Sequence, residues 1–130
     1  MLVALTLAAP DGLAARIHAS AVAKPCRVVA RAPVHTGGAP GKTVATMHFT
    51  CTRRHSQAIA TVQSQKFIRG RWSPRAARTI TFFQLKRRHR YKATTPPIDC
   101  SPGEYRTVAS VKTGSRTTQA RSHTVTITCG

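Results

Sequence analysis

Four cysteines constrain this chain more than any other feature, because Cys26, Cys51, Cys100 and Cys129 stand at spacings that two β-hairpins can close. Residues that face each other across an antiparallel hairpin lie symmetrically about its turn. The midpoint of Cys26 and Cys51 falls between Gly38 and Ala39, inside the turn-rich stretch from Pro33 to Gly41. Mirroring about that point sets Val28 opposite Phe49 and Ala30 opposite Met47, and strand alternation places all four on the face that carries the cysteines. For Cys100 and Cys129 the midpoint falls between Gly114 and Ser115, again in a polar turn, Thr113 to Thr118. Strict mirroring there sets Val125 opposite Glu104, so this hairpin requires a bulge or bend, which Pro102-Gly103 is expected to supply. The spacing thus predicts the disulfides Cys26–Cys51 and Cys100–Cys129. A metal site built from the same cysteines lacks the close CxxC spacing such sites use.

The rest of the chain also reads as strands: Ala58 to Gln65, Lys66 to Trp72, Thr79 to Leu85 and Arg90 to Thr94, punctuated by Gly70, Pro74, Pro96, Pro97, Pro102 and Gly103. In Thr124-Val125-Thr126-Ile127-Thr128 the valine, the isoleucine and Cys129 share one face and the threonines the other. No helical stripe interrupts this pattern after residue 23. The expected fold is all-β: a small antiparallel β-sandwich, immunoglobulin-like, with an open barrel as its nearest competitor.

Residues 1–23 read differently. A short apolar run, Leu2 to Ala9, is followed by Ala21-Val22-Ala23, a small-x-small cleavage signature, so the segment is expected to be a secretory signal peptide whose true start lies upstream. An amphipathic helix from Leu2 to Ile17 is the competing reading. The apolar run is too short to span a bilayer, which takes ~20 residues. Residues 24–130 then form a single domain, and an even cysteine count behind an export signal fits an oxidising, extracellular compartment.

Several stretches together resemble small exported proteins of actinobacteria: His48-Phe49-Thr50-Cys51, Gly70-Arg71-Trp72, Gly103 through Val111, and the terminal Val125-Thr126-Ile127-Thr128-Cys129. The resemblance implies a disulfide-bearing immunoglobulin-like sandwich of unknown function and carries no catalytic residue with it. The arginine content departs from that pattern.

Charge bears most directly on function. The chain has 21 Lys or Arg against 3 Asp or Glu, a formal balance of +18. Cleavage after Ala23 removes one residue of each sign, Arg16 and Asp11, and leaves the balance unchanged. Two remaining carboxylates, Asp99 and Glu104, cannot neutralise such a surface, which must face anions or water. Paired-carboxylate hydrolysis and carboxylate-caged calcium are nearly excluded. No Gly-x-Ser-x-Gly elbow surrounds any serine, and oxidised cysteines are not nucleophiles, so no enzyme and no cofactor is expected.

The densest basic run, Lys86-Arg87-Arg88-His89-Arg90-Tyr91-Lys92, lies between two strands and is expected at a hairpin tip, with Tyr91 free to stack on a base or sugar. Arg53 and Arg54 after Cys51, and Arg69, Arg71, Arg75 and Arg78 around Trp72, are expected to extend it if they share a face. Trp72 itself is expected in the core. His48 and His55 flank Cys51 with ligand-like spacing, but oxidation of Cys51 removes that ligand and no metal site is expected.

The leading expectation is a secreted, non-enzymatic binding protein for an anionic partner: an acidic protein, a cell-envelope polymer or extracellular nucleic acid. Alternatives are an interaction module docking by an edge strand or the first hairpin, a cationic antimicrobial or toxin-like effector, and an intracellular nucleic-acid-binding protein.

Overall fold

A computed structural model describes residues 26–130, and the expected leader lies outside them. Nine strands follow in order: β1 (Cys26–Thr36), β2 (Lys42–Cys51), β3 (His55–Ile68), β4 (Arg71–Leu85), β5 (Arg90–Thr94), β6 (Ile98–Asp99), β7 (Gly103–Thr113), β8 (Arg116–Arg121) and β9 (Val125–Ile127). They form two antiparallel sheets. One runs β1-β2-β5 with β6 also on β2; the other runs β4-β3-β7-β8 with β9 also on β7. With β1, β2, β3, β4, β5, β7 and β8 taken as strands A, B, C, C′, E, F and G, A-B-E faces C′-C-F-G, the arrangement of an immunoglobulin-like sandwich. Tyr105, buried near the start of β7, donates its hydroxyl to the Ser101 carbonyl at 2.6 Å, the tyrosine corner that such sandwiches use.

The first hairpin takes the expected register: Cys26 opposes Cys51, Val28 opposes Phe49 and Ala30 opposes Met47. A shift between Arg31 and Val34 then leads into the turn. Both expected disulfides are present, but only the first joins facing residues of a hairpin. Cys100 follows β6 in the first sheet and Cys129 follows β9 in the second, so the second bridge staples one sheet to the other.

Two other expectations are corrected. The β7–β8 pairing does mirror about Gly114-Ser115, from Thr113 with Arg116 to Val108 with Arg121. The irregularity, however, lies on the returning strand and not at Pro102-Gly103. Val125 pairs with Tyr105, one residue out of the earlier register. Ser122 accounts for the break: its Oγ accepts from the Thr107 amide at 2.8 Å and donates to the His123 carbonyl at 2.9 Å, so a side chain occupies the ladder where the strand ends. The expected strand from Lys66 to Trp72 is split in two, because Arg69 (φ 52) and Gly70 (φ 78) form a two-residue hairpin turn joining β3 to β4.

The core lies between the sheets and is built from small residues: Ala45, Ala58, Ala60, Ala93 and Ala109 are all buried. Bulk comes from Met47 and from Phe49, whose ring stacks on Tyr91 at 5.3 Å and meets the edge of Phe82 at 5.5 Å. Charged side chains are therefore confined to the outer faces, the edges and the ends.

Candidate anion-binding surface

Two connections cross between the sheets at one end of the sandwich. Residues 52–54 carry the chain from β2 to β3, and residues 86–89 carry it from β4 to β5. Since His55 pairs with Leu85, these crossovers start side by side, and the Arg88 amide donates to the Cys51 carbonyl at 2.8 Å. The Lys86 amide is held in turn by the Tyr91 hydroxyl at 2.8 Å. Arg54, His55, Ser56, Lys86 and Arg87 then line a shallow depression. Arg53, Arg54, Lys86, Arg87 and Arg88 thus come together as one exposed cationic cap.

The basic run is a crossover and not a hairpin tip, because β4 and β5 belong to different sheets. That changes the role of Tyr91. Its ring packs against Phe49 and Phe82 in the core, with His89 against its edge at 4.6 Å, so it anchors the loop and offers no free stacking face. Arg90 and Lys92 leave the loop for the outer face of β5, where they pair across from Thr50 and His48.

Arg71 does not join the cap. It sits with Arg69 at the β3–β4 turn, and the intervening run of β3 puts it roughly 45 Å away at the rise of an extended strand. Arg75 and Arg78 lie exposed along β4 between the two ends. Trp72 is only half-buried, contrary to expectation. It pairs with Phe67 on the outer face, which no second sheet of the described residues covers; the rings lie 5.2 Å apart, and the Arg106 guanidinium sits 4.3 Å above the indole.

His48 and Cys51 point to opposite faces of β2, so the His-x-x-Cys-x-x-x-His spacing does not converge. His55 does approach the Cys26 and Cys51 sulfurs, but these are bonded to each other. Of the acids, Asp99 pairs with Lys42 at 2.5 Å on the far part of β2, and this hydrogen bond with the adjacent positive charge holds its carboxyl below the usual range. Sequence reasoning passed over Arg27 and Arg31. The first hairpin's own alternation puts both on the outer face, opposite Thr50 and Thr46.

Fold and surface together define a two-disulfide immunoglobulin-like sandwich with a cationic end. No protein-family model and no curated protein matches the chain. Among solved structures it is similar to the solution structure of R. palustris CsgH, at 18% identity over 74% of this chain and 89% of that one, with a TM-score of 0.52. At that identity the likeness concerns the fold alone. A β-glucosidase from Listeria innocua, solved in complex with gluconolactone, aligns at 10% identity and a TM-score of 0.40, over 75% of this chain and 16% of that one.

Proposed function

We propose that this is an exported, non-enzymatic binding protein that engages an anionic macromolecule through its cationic cap. The observation that carries this reading is the convergence of Arg53, Arg54, Lys86, Arg87 and Arg88 at one end, with Asp99 engaged by Lys42 elsewhere. Guanidinium forks at fixed loop positions suit multivalent contact with phosphate, sulfate or carboxylate oxygens. Affinity then rests on displaced counterions and falls steeply as salt rises. The test is retention on an immobilised polyanion such as heparin over a salt gradient. Replacing Arg53, Arg54, Arg87 and Arg88 with Gln is expected to advance elution far more than replacing Arg69, Arg71, Arg75 and Arg78. Equal effects of the two sets, or elution that ignores salt, refute the reading.

A second reading has its own support. β4 is an edge strand, and from Ala76 to Phe83 its register with β3 is unbroken while its other side is unpaired by any described strand. Phe83 is 67% exposed there. A partner strand added along this edge would be held by main-chain hydrogen bonds that salt does not weaken. Arg78→Pro is expected to abolish such a complex and to leave salt-sensitive polyanion binding intact.

A further inference from the structure

The outer face of the β1-β2-β5 sheet holds a second cationic arrangement, set by strand register rather than by loops. Pairing across β2 places Arg27, Thr50 and Arg90 in one row, Val29, His48 and Lys92 in the next, and Arg31, Thr46 and Thr94 in the third. Strands in a sheet lie ~4.8 Å apart, and same-face neighbours along a strand ~6.7 Å apart. His48 therefore has Lys92 beside it and three arginines at the diagonals, each within reach of a long side chain. Arg27, Val29, His48, Thr50 and Arg90 line a depression on this face. Arg27, Arg31, Arg90 and Lys92 are all exposed, and no carboxylate of the described residues is paired with them. Asp99 is six residues away along β2, engaged by Lys42.

We propose that this face is a binding site for a ligand carrying more than one phosphoryl group, gripped by Arg27, Arg31, Arg90 and Lys92 around His48 and Thr50. This rests on the anion-binding reading above and adds a place and a ligand class to it. A tetrahedral phosphoryl group offers three outward oxygens, so one group bridges donors from two strands, as a planar carboxylate with two oxygens does less well. The cations span three rows, more than a single phosphoryl group can touch. Thr50 adds a hydroxyl donor at the centre of the row where Arg27 and Arg90 face each other.

His48 supplies a signature. The groups that face it are Arg27, Val29 and Arg31 from β1, Thr46 and Thr50 from its own strand, and Arg90 and Lys92 from β5. Partial burial first, then the charges of Arg90, Arg31 and Arg27, hold its imidazole below the usual 6.5. A bound phosphoryl chain supplies the missing counter-charge, so His48 takes up a proton on binding.

The experiment is calorimetric titration of the full chain with inorganic triphosphate, orthophosphate and citrate near pH 6.5, in buffers of different ionisation enthalpy. Triphosphate is expected to bind more tightly than the other two, with proton uptake that His48→Gln removes. Arg27→Gln and Arg90→Gln are each expected to weaken it by about tenfold, the scale of one charge-assisted hydrogen bond, whereas Arg69→Gln and Arg71→Gln leave it unchanged. These variants are at exposed positions, and an unaltered melting profile shows that the fold survives them. Triphosphate binding that responds only to Arg53→Gln and Arg87→Gln overturns this site while leaving the cap in place. Citrate binding as tightly as triphosphate overturns the ligand class. Loss of heparin retention as well as triphosphate binding in the unsubstituted protein overturns both proposals together.

Discussion

The two disulfides close loops of nearly equal length, so their removal separates chain entropy from packing. With sequence separations of 25 for Cys26–Cys51 and 29 for Cys100–Cys129, loop closure in the unfolded chain contributes about 3.5 and about 3.6 kcal/mol. The native environments differ. Cys26 and Cys51 are 4% and 0% exposed within the core, whereas Cys100 and Cys129 are half-buried. Cys26→Ala with Cys51→Ala therefore deletes two packed sulfurs as well as the cross-link. Each deletion resembles loss of a buried methyl-sized group, about 0.5–1.5 kcal/mol, giving about 4.5 to 6.5 kcal/mol in all with the loop-closure term. Cys100→Ala with Cys129→Ala is expected to cost close to the entropic figure. Urea unfolding followed by Trp72 fluorescence measures both, with free energies compared at each variant's own slope. Because domain stabilities are commonly 5–15 kcal/mol, the first variant sits at the margin of folding and the second does not. The reasoning fails if the second variant is the less stable of the two, or if both lose under about 1 kcal/mol, since the cross-links would then be ornaments on an already sufficient core.

Phe49→Ala empties the centre of the core between Tyr91 and Phe82 and is expected to cost about 3–5 kcal/mol by the same urea measurement. Two glycine substitutions should differ in kind. At Gly41 (φ +70) a Cβ would stand 2.3 Å from the Thr36 carbonyl oxygen, so Gly41→Ala forces the turn apart, whereas at Gly70 (φ +78) the space is open and Gly70→Ala bears only left-handed strain, about 1–2 kcal/mol. Comparable melting temperatures for the two would contradict this. For pH, the His48 imidazole is held below its unfolded value of 6.5, so the unfolded chain binds more protons and stability falls as pH drops from just above 6.5 through the folded value. Thermal melts of His48→Gln should lack that part of the decline.

The inner faces were the legible part of the sequence, and the outer ones were not. Apolar alternation about a turn determines register when one face is buried, which is why Cys26, Val28 and Ala30 found their partners from spacing alone. The same logic misread Trp72, because its aromatic bulk suggests burial while its parity with Phe67 puts it on the outer face, where the Arg106 guanidinium and no second sheet of the described residues lies over it. The basic run could be located in the chain but not in space. Which sheet β5 joins depends on long-range pairing with β2, and that pairing brings Arg90 and Lys92 to His48 and leaves Arg87 and Arg88 at the cap. Arg27 and Arg31 carried the right alternation in the sequence; what was missing was the third strand.

This separation of faces has a consequence for stability in salt. Among the described residues the core holds no ion pair, and the Lys42–Asp99 pair is exposed, so it contributes little that screening can remove. The cations, in contrast, are brought closer by folding, as in the row that sets Arg27 and Arg90 on either side of Thr50. Their repulsion opposes the compact state more than the expanded one. Raising sodium chloride from about 0.01 M to about 0.15 M shortens the Debye length from about 30 Å to about 8 Å and should relieve it. The melting temperature is therefore expected to rise with salt, whereas a protein held together by surface ion pairs would lose stability over the same range. Differential scanning calorimetry with a monovalent salt, whose ions have no chelating geometry, separates this general screening from any bound oxyanion. A melting temperature that falls as salt is added would mean that the cations are paired in the folded state, and the open cationic surfaces described above would not exist.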